Sequence, residues 1–140
     1  SVRELNLMAT TLNTPDNKLV ICPNSSIWGS SIVNYSALET RRVDMVVGIS
    51  YAADIADAKS KIMETLQADE QVLADPEPVV EVVEMADSSI NLVVRPWCNT
   101  DDYWAVYFRL HHTIKDLLDQ NGIEIPFPQV DVHHHNEGAA

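Results

Sequence analysis

The 140-residue sequence predicts an α+β chain in two parts, followed by a short terminal strand. Residues 1–42 break into short apolar stretches separated by turn-forming residues, as in a small all-β unit. Residues 43–125 switch between strand-type alternation and helix-type spacing, which predicts an α/β unit. Residues 126–132 return to a strand-like pattern, but Pro126 and Pro128 remove two backbone donors and bar those positions from a central sheet strand.

In the first part, residues 5–12 read as a strand, and Thr14-Pro15-Asp16-Asn17 has the chemistry of a turn. Residues 18–22 return as the partner strand, Pro23-Asn24-Ser25-Ser26 breaks it, and residues 31–35 resume as a third strand. About forty residues of short strands bury too little surface to stand alone, so this part requires neighbours.

The second part opens with Val43, Met45, Val47, Ile49 and Tyr51 alternating as a half-buried strand. Asp54 occupies an N-cap position, and Asp57 favours the positive end of the helix that follows. Ile55, Ala58 or Lys59, Ile62 and Leu66 mark that helix's buried face. Asp75-Pro76-Glu77-Pro78 is a stiff loop, residues 79–85 a strand, Ala86-Asp87-Ser88-Ser89 a turn and residues 90–97 a third strand. Asp101 or Asp102 then caps a long helix with the stripe Tyr103, Val106, Tyr107, Leu110, Ile114 and Leu117. Gly122 ends it at the C′ position, with Ile123 placed to fold back. This βαββα order is the split βαβ arrangement of ferredoxin-like folds. A last strand ordinarily completes that sheet, and here Pro126 cuts it short. A strand without a partner in its own chain, residues 126–132, is expected to pair with copies of itself.

The formal net charge of −12 is unevenly spread. Residues 1–42 hold four basic and three acidic groups, so the remaining chain carries five basic and 18 acidic ones, a split of +1 against −13. An acidic surface repels phosphate backbones, so nucleic acid is excluded as a partner. No apolar run approaches the roughly 18–20 residues that span a bilayer, and no signal peptide is expected. The opening Ser1-Val2-Arg3 lacks Met, which suggests that an upstream part is missing; processing or tag removal would look the same.

Candidate chemistry is sparse. Cys22 and Cys98 lack metal-type spacing and read as reduced buried thiols. Ser25, Ser26, Ser30 and Ser31 have no histidine nearby and no nucleophile-elbow pattern. Adjacent helical residues His111 and His112 point about 100° apart, unsuited to one shared ion. His133-His134-His135 opens a polar tail, residues 133–140, expected to lack fixed order. The triplet reads as a metal-binding tract, polar tail residues or a sequence remnant. Trp28, Trp97 and Trp104 read as packing anchors, with Trp28 placed between subunits because its own unit offers little core. No catalytic residue, cofactor or metal is expected.

A family resemblance gathers these features. TPDNKLVICPNSSI at 14–27, NYS at 34–36 and Arg41-Arg42 resemble the β domain of small-conductance mechanosensitive (MscS-like) channels. GISYAADIADAK, SSINLVVRPW and the tail IPFPQVDV resemble the same family's carboxy-terminal region in the same order. The resemblance covers residues 4–132. It implies a non-enzymatic, homo-oligomeric vestibule of seven subunits on the cytoplasmic side of the bacterial inner membrane, below pore helices not contained in this sequence. The β domain (1–42) would be Sm-like and form a ring, with Pro23, Asn24, Ser25 and Trp28 as interface candidates. The second domain (43–125) would be ferredoxin-like. Pro126, Phe127, Pro128, Gln129, Val130, Asp131 and Val132 would contribute to an intersubunit parallel barrel. Ions and small osmolytes released in hypoosmotic shock would pass through side portals, with the acidic vestibule favouring cations.

Two rivals come from other classes. A ligand-sensing regulatory domain would need a pocket between copies. A small hydrolase of acylphosphatase-like shape would need a Gly-rich phosphate cradle with an arginine, and the chain has only four glycines.

Overall fold

A computed structural model describes residues 1–133. Two compact units emerge, Ser1–Ala37 and the chain from Leu38 onward.

The first unit is an antiparallel sheet of β1 (Val2–Leu5), β2 (Ala9–Asn13) and β3 (Leu19–Pro23), in that order, followed by one helical turn, α1 (Asn24–Trp28). The stretch expected to be one strand over 5–12 is two, because Asn6 intervenes. Its side-chain oxygen accepts from the backbone N–H of Met8 at 3.0 Å and of Ala9 at 2.8 Å, a local turn that competes with extension. The β2–β3 turn falls where Thr14-Pro15-Asp16-Asn17 places it. Asn17 takes a positive φ of 64°, which asparagine tolerates better than most residues. The strand expected over 31–35 does not form. Asn34 accepts from the Ser36 N–H at 3.0 Å, and the adjacent Ile32 and Val33 both remain exposed, so no alternating buried face develops.

The second unit centres on an antiparallel sheet of order β5-β7-β6, formed by β5 (Met45–Ile49), β6 (Val79–Met85) and β7 (Ile90–Arg95). Val47 pairs with Leu92, and Leu92 with Val82 on its other side. Helices α2 (Ile55–Gln67) and α3 (Tyr103–Gln120) cover one sheet face. Met45, Ile49, Val80, Leu92 and Val94 meet Ala58, Ile62, Leu66, Val106, Leu110, Ile114 and Leu118 in one core. Each fully buried large aliphatic side chain contributes roughly 1.5–3 kcal/mol. The 1-3-2 strand order with paired helices is ferredoxin-like. The fourth-strand position beside β5 holds only the start of the tail, where Ser50 N–H donates to the Glu124 carbonyl at 2.9 Å.

Asp54 caps α2 as expected, accepting from Ala56 and Asp57 N–H at 2.8 and 3.1 Å. Of the two candidates on its buried face, Ala58 is inside, while Lys59 reaches Glu81 at 2.6 Å. The third strand, expected to reach Trp97, ends at Arg95 because Pro96 lacks a donor. Beyond it, β8 (Trp97–Asn99) pairs with β4 (Thr40–Arg42), so residues 40–42 hydrogen-bond within the second unit. Asp102 holds the N-cap position of α3 as expected, at the end of a 3₁₀ turn, Thr100–Asp102, but makes no side-chain cap bond. Asp102 accepts instead from Gln71 Nε2 at 3.0 Å. The helix end is as expected. Gly122 has φ of 66°, its N–H bonds the Asp119 carbonyl at 3.2 Å, and Ile123 N–H bonds the Leu118 carbonyl at 2.9 Å. This is a Schellman closure that buries Ile123.

Candidate assembly surfaces

The Schellman turn aims the chain out of α3 and past β5, and fixes where the tail begins. Residues 126–132 form no strand within their own chain. Phe127 and Val130 are each 81% exposed, and Val132 is exposed beside them. Three apolar side chains without intrachain cover are what an intermolecular strand would present, and what a solvated tail would avoid. Pro126 is half-buried in a polar recess of about 160 Å³ lined by Ser50, Tyr51, Asp87, Ser88, Glu124 and Gln129. Across it Gln129 N–H donates to Ser88 Oγ at 3.0 Å, and Tyr51 donates to the Ala86 carbonyl at 2.6 Å.

In the first unit, Pro23, Asn24 and Ser25 form the β3–α1 junction. Asn24 is its hub. It accepts from the buried Thr10 hydroxyl at 2.8 Å and donates to the carbonyls of Asn6 and Leu7 at 2.9 and 3.1 Å, while its own N–H reaches the Met8 carbonyl. These bonds hold the β1–β2 turn firmly, with Leu7 and Met8 exposed at its tip. Trp28 is 90% exposed, and α1 buries none of its residues. A cleft of about 570 Å³, lined by Val2, Leu5, Leu12, Cys22, Ile27 and Ile32 among others, opens on the same unit. Leu7, Met8 and Phe108 were not singled out from sequence as exposed apolar features, and Trp104, read there as a packing anchor, is instead exposed on α3 and stacks on Phe108 at 5.7 Å. Their residue types fit a core equally well.

Arg109, His111 and His112 on α3 each have a neighbour within the second unit. Arg109 forks onto Asp69 and also donates to Gln71, tying the loop after α2 to α3. His111 Nδ1 lies 2.8 Å from the Tyr107 carbonyl, and His112 lies 3.3 Å from Asp116. Cys98 is buried, and that burial pushes its thiol pKa above the ordinary value. On the surface, Lys18 and the Thr14 hydroxyl hold Asp16 below its usual range, and Asp119 raises Lys115. Among the described residues no group of three or more His, Cys, Asp or Glu could hold a metal ion. His133 is exposed; the rest of the His133-His134-His135 motif and of the tail lies outside the described residues. No described helix is long and apolar enough to cross a membrane.

Fold and surfaces together define a two-unit α+β region that presents an unpaired apolar tail. Comparison with known proteins places it. Residues 43–125 match the family model "Mechanosensitive ion channel MscS, C-terminal", and residues 1–37 match "Mechanosensitive ion channel, beta-domain". The chain belongs to the MscS mechanosensitive ion channel family. It is 46% identical over 133 residues to a small-conductance mechanosensitive channel of Edwardsiella ictaluri, covering 95% of this chain and 46% of that protein. It is 40% identical over 136 residues to an MscS family protein of Archaeoglobus fulgidus, covering 97% and 48%. The crystal structure of closed-state Helicobacter pylori MscS superposes with a TM-score of 0.92 at 31% identity, over 97% of this chain and 54% of that one. Arabidopsis thaliana MSL1 shares the fold, with a TM-score of 0.75 at 19% identity over 90% of this chain and 48% of that one. The chain thus spans about half the length of the relatives it matches.

Proposed function

We propose that this chain forms part of the cytoplasmic vestibule of a mechanosensitive channel that opens under membrane tension and releases ions and small osmolytes in hypoosmotic shock. Seven copies surround the vestibule, which serves as assembly platform and solute filter and performs no catalysis. Membrane attachment comes from helices outside this sequence, in the bacterial inner membrane. The β units contact one another through Pro23, Asn24, Ser25 and Trp28, and residues 126–132 of the copies close the base as a parallel barrel.

The observation that carries this reading, beside family membership, is the tail. It exposes Phe127, Val130 and Val132 on a segment that makes no strand of its own. The first unit points the same way, because a three-stranded sheet with an open apolar cleft and an uncovered Trp28 gains its missing core from neighbours. The near-neutral charge of residues 1–42 also suits a part that lies near an anionic membrane surface.

The test is survival of osmotic downshock by cells that lack their own mechanosensitive channels and express the full-length protein. Rescue is expected, and removal of residue 126 and everything beyond should weaken it. Failure of the full-length protein to rescue, despite its presence in the membrane, would refute the channel reading.

A further inference from the structure

We propose that Ser88 is a positioning residue for the tail, a clasp that divides it into a part held by its own domain and a part free to join copies. The inference rests on the reading of residues 126–132 as an intermolecular strand.

Few backbone donors of the tail are free to pair between Glu124 and Gln129. Pro126 and Pro128 have none. Gln129 N–H is taken by Ser88 Oγ at 3.0 Å, and the Gln129 side chain folds back to donate to the Phe127 carbonyl at 2.9 Å. Upstream, the Glu124 carbonyl is occupied by Ser50 N–H. The tail is therefore fastened at Glu124 to the β5–α2 connection and at Gln129 to the β6–β7 connection, and within the 126–132 strand uninterrupted donor pairing with another copy begins at Val130. Side chains alternate across a strand, so Val130 and Val132 share one face and Asp131 takes the other.

The β6–β7 turn that carries Ser88 is itself fixed. Ala86 N–H bonds the Ser89 carbonyl at 2.8 Å, and the Tyr51 hydroxyl donates to the Ala86 carbonyl. A fixed turn holds Ser88 Oγ at one place on the rim of the domain, which sets where each tail leaves its own copy. A closed ring needs that departure point to be the same in every copy.

The experiment compares the 140-residue chain with Ser88→Ala and Ser88→Thr, the latter retaining the hydroxyl. Amide exchange at Gln129 is read by NMR, and oligomer mass by native mass spectrometry over a dilution series. Ser88→Ala should speed Gln129 exchange about fivefold, corresponding to a net hydrogen-bond contribution of about 1 kcal/mol. It should also shift the dilution midpoint for dissociation to higher concentration with unchanged melting temperature, and Ser88→Thr should restore both. Unchanged Gln129 exchange would overturn the clasp. Faster exchange with unaltered assembly would overturn its positioning role. A chain ending at Ile125 that assembles as well as the full one would instead refute the barrel reading, whatever Ser88 does.

Discussion

Replacing Gly122 with alanine isolates one term in the stability of the helix-to-tail junction. Gly122 has φ of 66°, and a Cβ built there meets nothing within 4 Å. The substitution therefore adds no clash with a neighbour, and its cost is the left-handed backbone conformation itself, about 1–2 kcal/mol for an L-residue. In a unit of this size each kcal/mol lowers the melting temperature by roughly 4–8 °C. Gly122→Asn should lose less than Gly122→Ala, because asparagine visits this region more readily. Urea unfolding followed by Trp97 and Trp104 fluorescence measures both, and the midpoint should fall without a change in slope. Equal stability of wild type and Gly122→Ala would refute the reasoning. A larger loss with Asn than with Ala would do so too, since it would mean that the side chain, not the backbone, sets the cost.

Arg109→Ala should destabilise the second unit by about 2 kcal/mol, because it removes a forked charge-assisted pair to Asp69, whose side chain is only 15% exposed. Arg109→Lys should recover little of this, since an ammonium cannot reproduce the fork, and thermal melts of both variants check it. The thiols should differ in reactivity. Cys98 is buried with a raised pKa, so its thiol stays neutral in the fold, whereas Cys22 is half-buried. Iodoacetamide at about pH 8.5, near the ordinary thiol pKa, should label Cys22 first and Cys98 only after denaturation, as read by peptide mass. Stability from Cys98 is therefore fully present below the ordinary thiol pKa and is lost as pH rises through the raised value.

The second unit was legible in the sequence wherever period and capping agreed. Asp54, Ile62 and Leu66 located α2, and Gly122 followed by Ile123 located the end of α3 down to its closing hydrogen bonds. Pairings distant in sequence were not legible. Nothing local in Thr40–Arg42 announces β8 as its partner, since that contact depends on Pro96 breaking the third strand and re-aiming Trp97–Asn99. Asn6 is a similar case, because an asparagine inside an apolar run carries no mark of which backbone donors it will capture. At Asp102 the N-cap position was legible but its side-chain partner was not. A carboxylate one residue before a helix is most simply read as its cap, but here Gln71 claims it from a distant loop. In the tail, the two prolines announced that residues 126–132 would not sit in a central strand. The Ser88 contact to Gln129 joins residues 41 apart in sequence and could emerge only from the fold.

Whether the tail holds copies together is most directly tested by the solution mass of two chains. One is residues 1–140, and the other ends at Ile125, which keeps the buried Ile123 and so spares the core. Native mass spectrometry should find a heptamer for the first and its loss or weakening for the second. A heptamer of equal stability in both, or a dimer indifferent to the truncation, would contradict the claim.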